Sequence, residues 1–174
     1  MEMTGSRQIA ASREVVWAAL NDAEVLRLAI PGCQELTGTP EDGFEATVKQ
    51  KVGPVSATFS GRVTLADIVP LESYTISGEG KGGAAGHAKG SAAVRLEDKD
   101  DGTLLTYDVK AAVGGKIAQL GSRLIDGAAK NMADKFFDNF RAAIEPAEEA
   151  DGVAEALPEG KKPGWFGRMI GRKG

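Results

Sequence analysis

GGKIAQLGSRLIDGAAKNMADKFFDNFRAAI, residues 114–144, holds the longest run of helical period in the chain. Ile117, Leu120, Leu124, Ala128, Met132, Phe136 and Phe140 recur three or four residues apart, with Phe137 and Ile144 beside them. Lys116, Arg123, Lys130, Asp134 and Arg141 take much of the remaining surface. One apolar stripe on one long helix needs a surface to lie on. About 30 residues at ~1.5 Å each predict a rod of about 45 Å, long enough to cross a strongly curved sheet.

Upstream, the chain supplies that sheet. Ile9-Ala10-Ala11 end a short first strand; Ser12 and Asp22 are natural caps for two short helices, from about Arg13 to Leu20 and from Ala23 to about Ala29. Val16, Trp17 and Leu20 fall at core-facing spacing, and Pro31-Gly32 ends the helical stretch. From there to Val113 the period becomes two. Phe44, Ala46 and Val48 alternate with polar residues, as do Val55, Ala57, Phe59, Gly61, Val63 and Leu65, and later Leu105, Tyr107, Val109 and Ala111. About six antiparallel strands follow one another through hairpin turns. The order β, α, α, about six β, long α predicts an α+β helix-grip fold: a curved antiparallel sheet of about 6–7 strands wrapped around a C-terminal helix.

The stretch EGKGGAAGHAKGSAAV, residues 79–94, resembles a phosphate loop only in its glycines. It runs on into a strand, and neither a dinucleotide fingerprint nor a P-loop spacing is present. On a strand over residues 84–96, Ala84, Gly86, Ala88, Gly90, Ala92, Val94 and Leu96 share one face, while His87, Lys89, Ser91 and Arg95 take the other. The preceding strand adds Gly78 and Gly80 in line with Tyr74 and Ile76. Small residues inside a sheet want a packing reason. One reading is an apolar cavity between sheet and helix, lined by Phe59, Val63, Tyr74, Ile76, Gly78, Gly86, Ala88, Gly90, Tyr107, Val109, Leu120, Leu124, Ala128 and Met132, which a leucine at Gly90 would fill. The other is that the helix packs down on the glycines and leaves no void.

Composition is that of a globular chain, 42% hydrophobic and 26% charged, with net charge −4. One cysteine excludes an internal disulfide framework and suits a reducing cytoplasm. Neither a signal peptide nor a run long enough to span a bilayer is evident. The charge divides the chain into a mildly acidic domain (residues 1–144), an acidic flexible linker with six acids and no base (145–160), and a tip with five bases and no acid (161–174). No basic face for nucleic acid is expected in the domain. A lone histidine, His87, and a lone cysteine, Cys33, cannot build a zinc-type ligand set or a hydrolytic triad with any redundancy. The expectation is a protein without catalytic residues, metal or covalent cofactor.

The tip pairs Trp165 with Met169 and Phe166 with Ile170 at i, i+4, with Lys161, Lys162, Arg168, Arg172 and Lys173 around them. Aromatic and basic residues on a leash suit a weak anchor at an anionic membrane surface. Docking on a partner protein or on the domain's own acidic surface are the other readings. Gly164, Gly167 and Gly171 make the tip a poor helix by itself.

Over roughly residues 3–144 the chain resembles the carbon monoxide dehydrogenase G-subunit family of the START-like helix-grip superfamily. The resemblance rests on Val16-Trp17-Ala18-Ala19-Leu20-Asn21-Asp22, Ile30-Pro31-Gly32-Cys33, Val52-Gly53-Pro54-Val55 with Phe59-Ser60-Gly61, and Gly86-His87-Ala88-Lys89-Gly90. It continues through Gly114-Gly115-Lys116-Ile117-Ala118-Gln119-Leu120-Gly121-Ser122-Arg123-Leu124-Ile125. It implies an accessory factor encoded with molybdenum-containing CO dehydrogenases and related hydroxylases, linked to recruiting the enzyme to the membrane. Joined to the cavity and the tip, it suggests a cytoplasmic protein, peripheral to the inner face of the membrane, that carries a respiratory quinone (menaquinone or ubiquinone). Tyr74, Tyr107 or Gln50 are candidate partners for the quinone head. A ligand-free recruitment or assembly factor, and a cyclase- or hydrolase-like enzyme, are the alternatives.

Overall fold

Two short helices form where their caps place them. The structure, a computed structural model, describes residues 1–145, 163–164 and 167–169. Strand β1 (Glu2–Ile9) leads to α1 (Arg13–Leu20), whose N-cap Ser12 accepts a hydrogen bond from the Val15 amide at 3.3 Å. Helix α2 (Ala23–Ala29) follows, with Asp22 accepting from the Glu24 amide at 2.8 Å. Each side-chain acceptor satisfies an amide that the first helical turn leaves unpaired.

Six strands then run without interruption by a helix longer than one turn: β2 (Cys33–Thr39), β3 (Gly43–Val52), β4 (Val55–Val69), β5 (Ser73–Lys81), β6 (His87–Lys99) and β7 (Gly102–Gly114). Among the described residues, seven strands form one sheet in the order β1-β7-β6-β5-β4-β3-β2, with every pairing antiparallel. The first strand closes against the last, so residues from both ends of the domain share one inner face. This is the helix-grip architecture that the periodicity predicts.

The C-terminal helix α3 spans Ser122–Ile144, 23 residues, or about 34 Å at ~1.5 Å per residue. It is shorter than the period suggests. Residues Lys116–Leu120 form a 3-10 turn bounded by Gly115 at φ +79° and Gly121 at φ +93°. Neither backbone conformation continues a right-handed helix, so the apolar stripe crosses a break.

The glycine-rich strand also starts later than expected, at His87. Gly83–Ala85 form a second 3-10 turn, and Gly86 adopts φ +119°. The alternation therefore slips by one before the strand, and Ala85 rather than Ala84 is buried.

The core sits at one end. Ile9, Val16, Ala29 and Phe140 are fully enclosed, with Leu20, Tyr74, Val94, Leu96, Leu105 and Phe137 around them. Residues Met1–Ile144 make one compact unit, and Glu145–Gly174 separate as a second. Within that second unit, Pro163–Gly164 pair antiparallel with Gly167–Met169 as two short strands, in place of helical spacing. The remaining tip residues, Lys161, Lys162, Trp165, Phe166, Ile170, Arg172 and Lys173, and nearly all of the acidic linker lie outside the described residues.

Candidate functional site

The register sorts the inner face into rows across the strands, and along β5 and β6 side-chain volume falls from the core outward. Nearest the core, Leu96 pairs with Leu105. One step along lie Tyr74, Val94 and Tyr107. The next row is Leu65, Ile76, Ala92 and Val109. Then come Phe44, Val63, Gly78, Gly90 and Ala111, and finally Ala46, Gly61, Gly80, Ala88 and Val113. Tyr74 and Gly80 are six residues apart on one strand, about 20 Å at ~3.3 Å each. Burial follows volume: Tyr74 and Val94 are buried, whereas Ile76, Gly78, Gly80, Ala88, Gly90 and Ala92 are each half-exposed.

Helix α3 mirrors the gradient. Its C-terminal half packs with Phe136, Phe137 and Phe140 into the core, where Phe137 stacks on Tyr107 at 5.5 Å between ring centroids. Its N-terminal half carries the same stripe, yet Leu124 is 45% exposed and Met132 is 37% exposed. Two further contacts hold the helix. At its middle, the Arg7 guanidinium of β1 bonds Asp134 at 2.5 Å and lies over the rings of Phe137 and Tyr107 at 5.1 and 5.7 Å. At its N-terminal end, Leu124 and the preceding Leu120 reach the tip of the β3–β4 hairpin, where a Cβ on Gly53 would stand 3.4 and 3.9 Å from their methyl groups.

Between those supports the glycines are not what the helix rests on. A Cβ built on Gly80 meets only Ser60 O at 3.8 Å and Phe59 Cβ at 4.0 Å, both on the neighbouring strand. At Gly78 the three nearest atoms belong to Val63 and Arg62, and at Gly90 to Lys110 and Ala111. The close-packing reading of the glycines fails at Gly80, where no atom of α3 lies within 4 Å of a built Cβ. Val63, Ile76, Gly78, Ala88, Gly90 and Val109 stand in these rows, Phe59 one step beyond them opposite Val48, and Leu120, Leu124, Ala128 and Met132 in the N-terminal half of the stripe.

Gly86 has a different task. A Cβ there would stand 2.2 Å from the Gly114 carbonyl oxygen, and one on Gly115 would stand 2.6 Å from Gly86 Cα. The turn before β6 and the end of β7 cross at backbone contact, which only glycine permits. Gly86 thus serves a backbone crossing and does not join the inner-facing row with Ala88 and Gly90. No pattern in the sequence distinguishes this glycine from its neighbours.

Polar groups in the interior are few and nearly all are paired. Thr103 Oγ1 donates to Ala11 O at 2.7 Å, Gln50 Nε2 to Pro31 O at 2.5 Å, and Asn139 Nδ2 to Ala29 O at 3.1 Å. Gln50 is therefore spent in tying β3 to the end of the helical segment. Tyr74 is 3% exposed, its ring edge-on to Trp17 at 5.3 Å, and its hydroxyl has no hydrogen-bond partner among the described residues. Burial alone raises that hydroxyl well above the usual phenol range.

The other chemical candidates are ordinary. His87 is exposed on the outer face, its ring lying against Gly114. The Cys33 thiol donates to Glu35 O at 3.3 Å, and burial raises its pKa, which keeps it from the reactive thiolate form. Among the described residues no three His, Cys, Asp or Glu side chains are grouped to hold a metal ion. A shallow groove of about 980 Å³ lies on the outer face, where Arg62, Lys81, Lys89 and Lys110 mix with Glu2, Glu45 and Glu79. It is open and mixed in charge, and most of its lining side chains lie on the face of the sheet opposite the small-residue rows.

Comparison with known families matches residues 5–145 to the model of the carbon monoxide dehydrogenase G-subunit (CoxG) family. Among solved structures, a conserved protein of Geobacillus kaustophilus is 30% identical, with a TM-score of 0.77 over 83% of this chain and 95% of that one. A START superfamily protein of Mycobacterium smegmatis is 16% identical, with a TM-score of 0.61 over 83% and 97% of the two chains. A protein of Rhizobium leguminosarum, 18% identical over 83% and 94%, superposes with a TM-score of 0.64. The last two show a shared fold. No curated protein matches the sequence.

Proposed function

The chain belongs to the carbon monoxide dehydrogenase G-subunit (CoxG) family, and from that premise we propose that it is an accessory carrier which binds a respiratory quinone for a molybdenum CO dehydrogenase or a related hydroxylase. The observation that carries this reading is the half-exposed inner surface of β5 and β6, which we read as one wall of an apolar hollow under the N-terminal half of α3. Its rows are glycine and alanine, and a Cβ built on Gly80 meets no helix atom within 4 Å. A surface of that kind, left half-exposed on the inside of a sheet, stabilises an apolar guest by about 25 cal/mol for each Å² it covers. A flat ring with a flexible isoprenoid chain fits a space about 20 Å long from Tyr74 to the last small row.

The carrier needs no catalytic residue, because the redox centres reside in the enzyme it serves. Among the described residues no helix is long and apolar enough to cross a membrane. Contact with the bilayer, where quinones dissolve, falls to the basic aromatic tip: Trp165, Phe166, Met169 and Ile170 with the surrounding Lys and Arg. Such an anchor is weak and reversible, as a shuttle requires.

Organic extraction of the purified protein followed by mass spectrometry tests the proposal. The expected result is a co-purified quinone, or saturable uptake of added quinone that Gly80→Leu abolishes. Gly80 is the cleaner position to plug, since a side chain at Gly90 would press on the Lys110 carbonyl at 2.7 Å. Absence of both co-purified and added quinone would leave the ligand-free recruitment factor as the reading.

A further inference from the structure

Resting on the carrier reading, we infer that Tyr74 is the hydrogen-bond donor for the ligand's polar group, so that the ligand lies polar end first at the core end of the hollow, with its hydrocarbon tail over the glycine rows. The interior polar groups are unevenly satisfied. Thr103, Gln50 and Asn139 each donate to a named backbone carbonyl, whereas the hydroxyl of Tyr74, at 3% exposure, has no partner among the described residues. An orphan hydroxyl in an apolar interior is costly and wants an explanation. Its place in the fold supplies one.

Tyr74 stands on the inner face of β5, in line with Ile76, Gly78 and Gly80. Its ring therefore rises from the same surface that becomes the small-residue hollow further along the strand. The adjoining row contains Ala92, which adds only a methyl group on β6 between Tyr74 and the glycine rows. Trp17 flanks the ring edge-on and holds it upright.

The other two candidates for the head group are placed less well. Gln50 is committed to Pro31 O. The Tyr107 hydroxyl also has no hydrogen-bond partner among the described residues, but Tyr107 is less buried than Tyr74; its ring stacks on Phe137 with the Arg7 guanidinium over both, and its hydroxyl reaches toward Gly5, where a Cβ would meet it at 2.4 Å. That direction leads to the edge strand and away from the glycine rows.

The surroundings also select the chemistry of the head. Arg7, in the neighbouring Leu96–Leu105 row with its guanidinium over the Tyr107 ring, is already paired with Asp134. A carboxylate or phosphate head beside Tyr74 would thus be a buried charge without a counter-ion, which is strongly disfavoured. A neutral carbonyl needs only one donor. The ligand class is an uncharged amphiphile with a hydrogen-bond-accepting head, and in this orientation the head is the shielded end and the tail the end nearest the opening.

The test compares wild type with Tyr74→Phe and Tyr107→Phe, titrated with decylubiquinone and with decylbenzene, which has the ring and chain but no carbonyl. Tyr74→Phe is expected to weaken decylubiquinone about three- to tenfold, the span of one hydrogen bond, and to leave decylbenzene within twofold. Tyr107→Phe is expected to change neither. In the infrared, the carbonyl band of bound decylubiquinone should sit lower in wild type than in Tyr74→Phe. The melting temperature should not fall, because the hydroxyl contributes nothing to the empty protein; a fall would assign it a structural bond and overturn the inference. Equal decylubiquinone affinity in wild type and Tyr74→Phe would assign the hydroxyl to a trapped water and overturn the orientation, while leaving the carrier intact. Failure of wild type to bind either compound would remove both proposals.

Discussion

Gly86 and Gly114 sit on facing strand ends, and both lack the space for a methyl group, yet they should respond differently to substitution. At Gly86 the obstruction is the Gly114 carbonyl oxygen at 2.2 Å, and φ is +119°. Backbone cannot step aside, so Gly86→Ala is expected to cost about 2–4 kcal/mol in denaturant unfolding. At Gly114 the obstruction is the His87 ring at 2.4 Å, an exposed side chain free to rotate. Gly114→Ala should cost under about 1 kcal/mol. Tyr74 gives a pH prediction at the same scale. Burial raises its pKa above the ordinary value of 10.0, so the folded protein keeps a proton that the unfolded chain loses. The stability linked to it is fully present below pH 10 and declines as pH rises beyond it. Alkaline unfolding followed by circular dichroism should therefore have a higher midpoint in Tyr74→Phe than in wild type. The caps at Ser12 and Asp22 are legible in the sequence, because a cap is a local bond. The crossing at Gly86 is not, because its partner lies 28 residues away in the chain and one glycine looks like another.

At the scale of elements, α3 is one helix with two roles. Phe140 is fully buried among α1, α2 and the sheet, and Phe140→Ala is expected to lose about 3–5 kcal/mol. Leu124 belongs to the same stripe but is 45% exposed, so Leu124→Ala should cost under about 1 kcal/mol while weakening ligand uptake several-fold. Chemical unfolding and probe binding, measured on both variants, separate the halves; a large stability loss at Leu124 would mean that the helix is packed along its whole length. The apolar period over residues 114–144 predicts the stripe correctly and its continuity wrongly. Periodicity registers which face a residue presents, and Ile117 presents the buried face whether it sits in a 3-10 turn or an α-helix. The break comes from Gly115 and Gly121, whose positive φ is set by how β7 must turn to meet α3.

For the whole molecule, the proposed carrier role separates stability, carried by the core, from binding, assigned to the small-residue rows. Gly80→Leu, placed where a built Cβ meets nothing closer than 3.8 Å, should leave the melting temperature within a few degrees and remove hydrophobic-probe uptake. The proposed membrane contact of the tip is tested separately. Co-sedimentation with anionic vesicles should fall on removing residues 161–174 and should weaken as salt rises, since five bases there act through screened attraction. Equal sedimentation of the full and shortened chains would turn the tip toward a protein partner.

The order of elements, the inner and outer faces of each strand, the helix caps and the division of charge along the chain were all determined by the sequence, because each is a local property: period two, period 3.6, a side chain bonding an amide two or three residues on. Whether Gly78, Gly80 and Gly90 lie under a close-packed helix or beside an open space was decided only by the tertiary structure. Along α3, Phe136, Phe137 and Phe140 enter the core, Asp134 meets Arg7 of β1, and Leu124 reaches the β3–β4 tip. These contacts set how far the helix stands from Gly80, and no single stretch of sequence contains both the contacts and the strand they keep it from.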